Sequence, residues 1–193
     1  LASSAGARSG LCSATRCRST PGGSSHQLSL LLQSALGFTG AVIEALPPMP
    51  AVPGLRSPYA MVDRLIYVGR MFDKIRLHSR GELPPDYHAA LGNGLDLRAC
   101  TFLRVEYAFV HQCVLTGDTD EIILADLLSQ GGVRSDHDCL VWSRFLAKLG
   151  WRDDRSEFLR RRVSDSGWSD QGICTFFDLI EFDEGRSLDG YAR

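Results

Sequence analysis

Within the stretch GRMFDKIRLHSRGELPPDY, the chain places Arg70, Asp73, Lys74 and Arg76 among Met71, Phe72, Ile75 and Leu77. If this segment is helical, Arg70 and Lys74 lie one turn apart with the same sign. That pairing is mildly unfavourable unless an anion or an acid sits beside it. Arginine and lysine so placed could hold a phosphate or carboxylate, with Asp73 orienting Arg76 three residues on. The competing reading is a solvated face with weak salt bridges; a third is a surface for a protein partner. Near the other end, DLIEFDEGR sets Asp178 and Glu181 one helical turn apart, followed by Asp183 and Glu184. Paired carboxylates could bind a divalent metal or serve as acid and base. They could equally pack by ion pairs against the Arg70/Lys74/Arg76 side, which would make the first and last helices neighbours.

Other chemistry is weaker. His111-x-Cys113 and His137-x-Cys139 suggest a zinc set. On a helix, however, residues two apart point about 200° apart, so neither pair chelates one ion easily. No metal is expected. GNG at 92–94 follows no strand and opens no phosphate-binding loop, and no G-x-S-x-G elbow occurs. No cofactor is expected. His78 and His88 flank a proline turn as isolated histidines. Arg160, Arg161 and Arg162 wrap most of a helical turn among acids, the pattern of a solvated face. Trp142, Trp151 and Trp168 read as core or inter-helix plugs.

The elements that must position these residues are helices. Ser57-Pro58 reads as an N-cap with proline at the first helical position. Met61, Leu65, Val68, Phe72 and Ile75 then recur at spacings of four and three, one face of a helix that Gly81 and the prolines of ELPPDY end. Asp63, Tyr67, Arg70 and Lys74 form a second stripe. A short helix capped by Asp96 should follow the Gly-Asn-Gly turn, and Val105 to Thr116 should be helical. A capped helix is expected from Thr119 to Gln130. The next should be capped by Ser135, with Leu140, Val141, Phe145 and Leu149 as its apolar face. WRDDRSEFLRRRVSDSG and SDQGICTFFDLIEFDEG should each form one more, starting from Asp or Ser and ending at Gly. No alternating β-branched run is long enough to predict a strand. The expectation is an all-α, compact globule of six or seven short helices.

The chain has 193 residues, 44% hydrophobic and 23% charged, with net charge −2. That is the balance of a globular protein able to bury a core. Residues 1–48 carry three arginines and one acid, and 49–193 carry 18 basic and 22 acidic residues, a net −4. This disfavours nucleic-acid binding. The first 27 residues, rich in Ser, Gly, Ala and Arg, read as disordered. The apolar run Leu28–Ile43 is too short and too polar for a membrane span. Residues 1–48 read as misassigned upstream sequence, a targeting segment or a functional tail. Residues 49–193 read as one domain beginning at Met49. The six cysteines show no C-x-x-C pair and read as buried, reduced thiols of a cytoplasmic protein.

GLRSPY, GRMFDKIRLHSRGELPPDYH, LGNGLDLRACTFLRVEY, GDTDEIILADLL, RSDHDCLVWSRFLAKLGWRDDRSEFL and TFFDLIEFDEGR, in that order, resemble the bacterial family catalogued as domain of unknown function 5069. The resemblance runs from about Gly54 to Arg186. It implies a small, standalone bacterial domain and supplies no activity. The chain departs from the pattern at His137, Cys139 and Ser143, which argues against a shared site there. Two functions follow as expectations. The first is a non-enzymatic module binding a small anion or a protein partner through the Arg70/Lys74/Arg76 side. The alternative is an enzyme using those cations for an anionic substrate, with Asp73, Asp178, Glu181 or Asp183 as acid or base. The oligomeric state is not legible.

Overall fold

The computed structural model describes residues 51–117 and 119–188. The readings of residues 1–48, with Cys12 and Cys17, lie outside the described residues. The described residues fold mainly as helices, as the periodicity predicts. They form a β-hairpin, Met61–Val62 (β1) and Leu65–Ile66 (β2), then α1 (Val68–Ser79) and a 3-10 helix (Pro85–Ala90). There follow α2 (Leu95–Leu103), α3 (Tyr107–Leu115), α4 (Asp120–Gly131), α5 (Asp136–Ala147), α6 (Ser156–Asp165) and α7 (Phe176–Asp183). No helix among them is long and apolar enough to cross a membrane.

The helix expected from Pro58 starts ten residues late. Ser57 Oγ accepts the N–H of Tyr59 and Ser57 O accepts that of Ala60, so the apparent cap closes a turn and no helix follows. Met61 then pairs with Ile66 and Val62 with Leu65 around Asp63-Arg64. Asp63 and Tyr67 have positive φ, 50° and 72°, which a continuous helix does not allow. Spacings of three and four fit the hairpin's buried Val62, Leu65 and Ile66 almost as well as a helix. Met61 exposes the error, being 59% exposed where the helical stripe would bury it.

From Val68 the periodicity holds. Met71, Phe72 and Ile75 are fully buried against Leu103, Val110, Leu127, Leu146 and Phe177. Burial of each such side chain contributes roughly 1.5–3 kcal/mol. The helix ends as Gly81 predicts. Glu82 N–H bonds Leu77 O at 2.9 Å and Gly81 N–H bonds His78 O at 3.0 Å, with Gly81 left-handed. Thr119 caps α4, and Ser135 and Asp138 form a capping box on α5. A second capping box, Thr175 with Asp178, starts α7 and replaces the expected Asp/Ser start. Asp96 does not cap α2: it is buried in the first turn and turned toward α1.

The side of α5 turned to the core also differs from the expected one. Leu149 is buried as expected, but Cys139 and Leu146 are buried in place of Leu140, Val141 and Phe145, which stand about half exposed. Two apolar stripes run along this helix, and spacing alone does not say which one packs. Cys100 and Cys139 are buried, Cys113 is only partly buried and Cys174 is exposed, so the buried-thiol reading holds for two of the four described cysteines. Trp168 is buried and Trp142 stacks on Phe102, but Trp151 is exposed.

Candidate functional site

Residues 68–75 of α1 are buried without interruption, so this helix is central and touches neighbours on every side. Its charged residues therefore end inside the protein. Arg70 is 3% exposed and Lys74 2%. Each charge needs a partner there, because an unpaired buried ion costs several kcal/mol.

Arg70 meets Glu184, just beyond the end of α7, with two parallel hydrogen bonds. Arg70 Nη1 also donates to Arg56 O at 2.7 Å. Glu184 accepts from Tyr87 Oη at 2.7 Å and pairs with Arg186 at 2.5 Å, and Arg186 reaches Glu181 at 3.0 Å. Burial would raise the Glu184 pKa, but Arg70, with Tyr87 and Arg186, outweighs it and holds the carboxyl below its ordinary value of 4.5. A lowered carboxylate pKa confers stability above about pH 4.5 that is lost as the pH falls through the folded value. The stability advantage of the wild type over Glu184→Gln should therefore shrink between about pH 5 and pH 3, as followed by denaturant melts. An advantage constant over that range would refute the assignment.

Lys74 Nζ lies 2.6 Å from Asp96 Oδ1, which also accepts Tyr67 Oη at 2.8 Å. Asp96 Oδ2 accepts the N–H of Gly92 at 3.1 Å. Burial pulls the Lys74 pKa down, and Asp96 opposes that pull without cancelling it. Asp73 is clasped by Arg56 through Nε and Nη2, both at 2.7 Å. Arg76 pairs with Asp120 at 2.7 Å and reaches Asp73 only at 3.8 Å. Burial would raise the Asp120 pKa, but Arg76 and Arg56 bring it below the usual value.

The six expected site residues thus separate. Arg70 joins the end of α7, Lys74 joins α2, and Asp73 and Arg76 join Arg56 and the start of α4. Glu181 is buried with Arg186. Asp178 accepts the N–H groups of Cys174 and Thr175 and the hydroxyl of Tyr59. The expected contact between the first helix and the acidic end is present, made by Arg70 and Glu184. Arg56, Asp96 and Asp120 are the partners the sequence reading missed. Asp96 resembled a cap, and nothing local marks the other two. Arg134 was also missed: it donates to the carbonyls of Phe102, Gly131 and Gly132, joining the ends of α2 and α4.

Neither of the two surface cavities described is lined by Arg70, Lys74 or Arg76. Among the described residues, no group of three or more His, Cys, Asp or Glu is placed to hold a metal ion. His78 and His88 are exposed and touch ring to ring at 4.8 Å.

One group of exposed cations with apolar neighbours lies on α5. At about 100° per residue, His137, Leu140, Val141, Arg144, Phe145 and Lys148 fall on one face, and all are exposed. Trp151 and Arg152 continue it, with the Trp151 ring 5.8 Å from Lys148 Nζ and 5.0 Å from Arg152 Cζ. Among the described residues, no carboxylate lies within ion-pair distance of Arg144, Lys148 or Arg152. This face can take an acidic, partly apolar surface.

Residues 52–186 match the family model described as "Domain of unknown function (DUF5069)". No curated protein and no solved structure gives a significant match. The family match spans most of the chain and the hairpin-to-α7 fold that holds these ion pairs: the chain belongs to the DUF5069 family.

Proposed function

We propose that this protein is a non-enzymatic interaction module that docks an acidic, partly apolar protein segment on the exposed face of α5. One observation carries the reading. Arg144, Lys148 and Arg152 have no acidic partner among the described residues and border half-exposed Leu140, Val141, Phe145 and Trp151. Cations that need neutralising, beside apolar groups that gain from leaving water, favour an amphipathic acidic partner. The first helix supports anion binding less well, since its cations already have carboxylates. The enzyme alternative has less support for the same reason: Arg70, Lys74 and Glu181 lie in the interior and line neither of the two cavities described.

The test is fluorescence anisotropy of the full chain with a labelled synthetic helical peptide carrying leucine on one face and glutamate on the other. Binding should weaken at least tenfold in Arg144→Glu/Lys148→Glu and in Val141→Ser/Phe145→Ser. A peptide with lysine replacing glutamate should prefer the charge-reversed variant. Absence of binding, or equal binding by all variants, would overturn the proposal, as would tighter binding to anionic vesicles or single-stranded RNA.

A further inference from the structure

A cavity of about 200 Å³ lies where the amino ends of α2, α6 and α7 meet. Leu95, Leu149, Phe158 and Phe176 form its apolar wall, and Gly94, Arg98 and Arg155 complete its lining. The Phe158 and Phe176 rings stack with centroids 6.0 Å apart and planes 28° from parallel. The frame is fixed: Phe176 N–H bonds Leu149 O at 2.9 Å, which ties α7 to the end of α5. Gly150, next to Leu149, has φ +97° and leaves no room for a Cβ, which would fall 2.7 Å from Leu159.

The two arginines are the distinguishing feature. Among the described residues, Arg98 has no carboxylate within ion-pair distance, and the Arg155 guanidinium approaches only that of its neighbour Asp154, at 4.0 Å. Two arginines lining the same cavity as two aromatic rings suit a ligand with a flat apolar body and an anionic group. The cavity and the arginine pair define the site, and the helix amino ends add positive potential. Its volume is below that of pockets for drug-sized ligands, so the ligand is small.

We infer that this cavity binds a small aromatic carboxylate, its ring against Phe158 and Phe176 and its carboxylate between Arg98 and Arg155. The inference does not rest on the α5 docking face, whose residues do not line the cavity.

The test titrates the full chain with phenylacetate, phenylacetamide and acetate, read by ligand-detected NMR and by thermal shift. Phenylacetate should bind at least tenfold more tightly than either other probe. Arg98→Gln/Arg155→Gln should weaken phenylacetate to the level of phenylacetamide, with the circular dichroism spectrum unchanged. Phe158→Ala should weaken both aromatic probes. Arg144→Glu/Lys148→Glu should change neither, so this site and the α5 face fail or survive separately. Acetate equal to phenylacetate would mean an anion site only, and phenylacetamide equal to phenylacetate an apolar crevice only. Binding undiminished in the arginine double variant would place the ligand elsewhere. Each of these three results overturns the inference.

Discussion

Arg70→Ala should cost about 3–5 kcal/mol, a large part of the stability of a domain this size. The substitution leaves Glu184, which is 2% exposed, without its principal partner. The loss comes chiefly from that buried carboxylate, which keeps Arg186 and Tyr87 but loses its two-bond partner, and less from the attraction removed, because a buried pair roughly offsets its own desolvation. Two controls separate these effects in urea melts. Arg70→Met/Glu184→Leu removes both charges and should be milder than Arg70→Ala alone, since Arg186 retains Glu181. Arg161→Ala breaks an exposed i,i+4 pair with Glu157 and should change little. An Arg70→Ala chain as stable as the wild type would return this arginine to the list of ligand-binding candidates. Instability of the double variant equal to the single one would assign the cost to lost packing.

Asp96→Ala should cost a comparable amount, about 3–5 kcal/mol near neutral pH, with a different pH signature. Asp96 is fully buried and holds Lys74, Tyr67 and the N–H of Gly92. Without it, Lys74 folds only by giving up its proton or by staying charged in the core. Burial already sets the folded pKa of Lys74 below its ordinary 10.5. The folded state then binds fewer protons than the unfolded state in the window between those two values. Stability accordingly rises with pH there, by at most about 1.4 kcal/mol per pH unit. Removing Asp96 deepens the depression and opens the window at lower pH. The gap between wild type and variant should narrow as the pH rises from neutrality toward about 10, as measured by paired denaturant melts. A gap independent of pH would show that Lys74 stays charged, or reaches solvent, when Asp96 is gone.

Both predictions concern residues whose type and spacing were visible but whose surroundings were not. Arg70 and Lys74 stand one turn apart in the sequence and in the structure. An unfavourable like-charge pair of this kind required acids beside it, and the acids are there. Their identities were hidden: Asp96 lies 22 residues from Lys74, and Glu184 lies 114 from Arg70. The DLIEFDEGR segment offered four acids for the first helix, and Glu184 among them meets it. The acid that holds Lys74 resembled a helix cap.

What the sequence by itself determined is the set of features closed by bonds over three to five residues. These are the stop at Gly81, the cap at Thr119, the capping box at Ser135 and Asp138, and the predominance of helix. In each, the donor and acceptor are so near in the chain that residue type and spacing suffice. Tertiary structure decided the rest. It turned residues 61–66 into a hairpin, because the apolar spacing there satisfied either conformation and the positive φ of Asp63 and Tyr67 broke the helix. It chose Cys139 and Leu146 over Leu140 and Val141 as the buried side of α5. It also put the charges of the first helix in the interior. Apolar periodicity reports one buried side of a helix, whereas a helix surrounded by neighbours buries its charged sides too, at a free energy that depends on acids brought from distant parts of the chain.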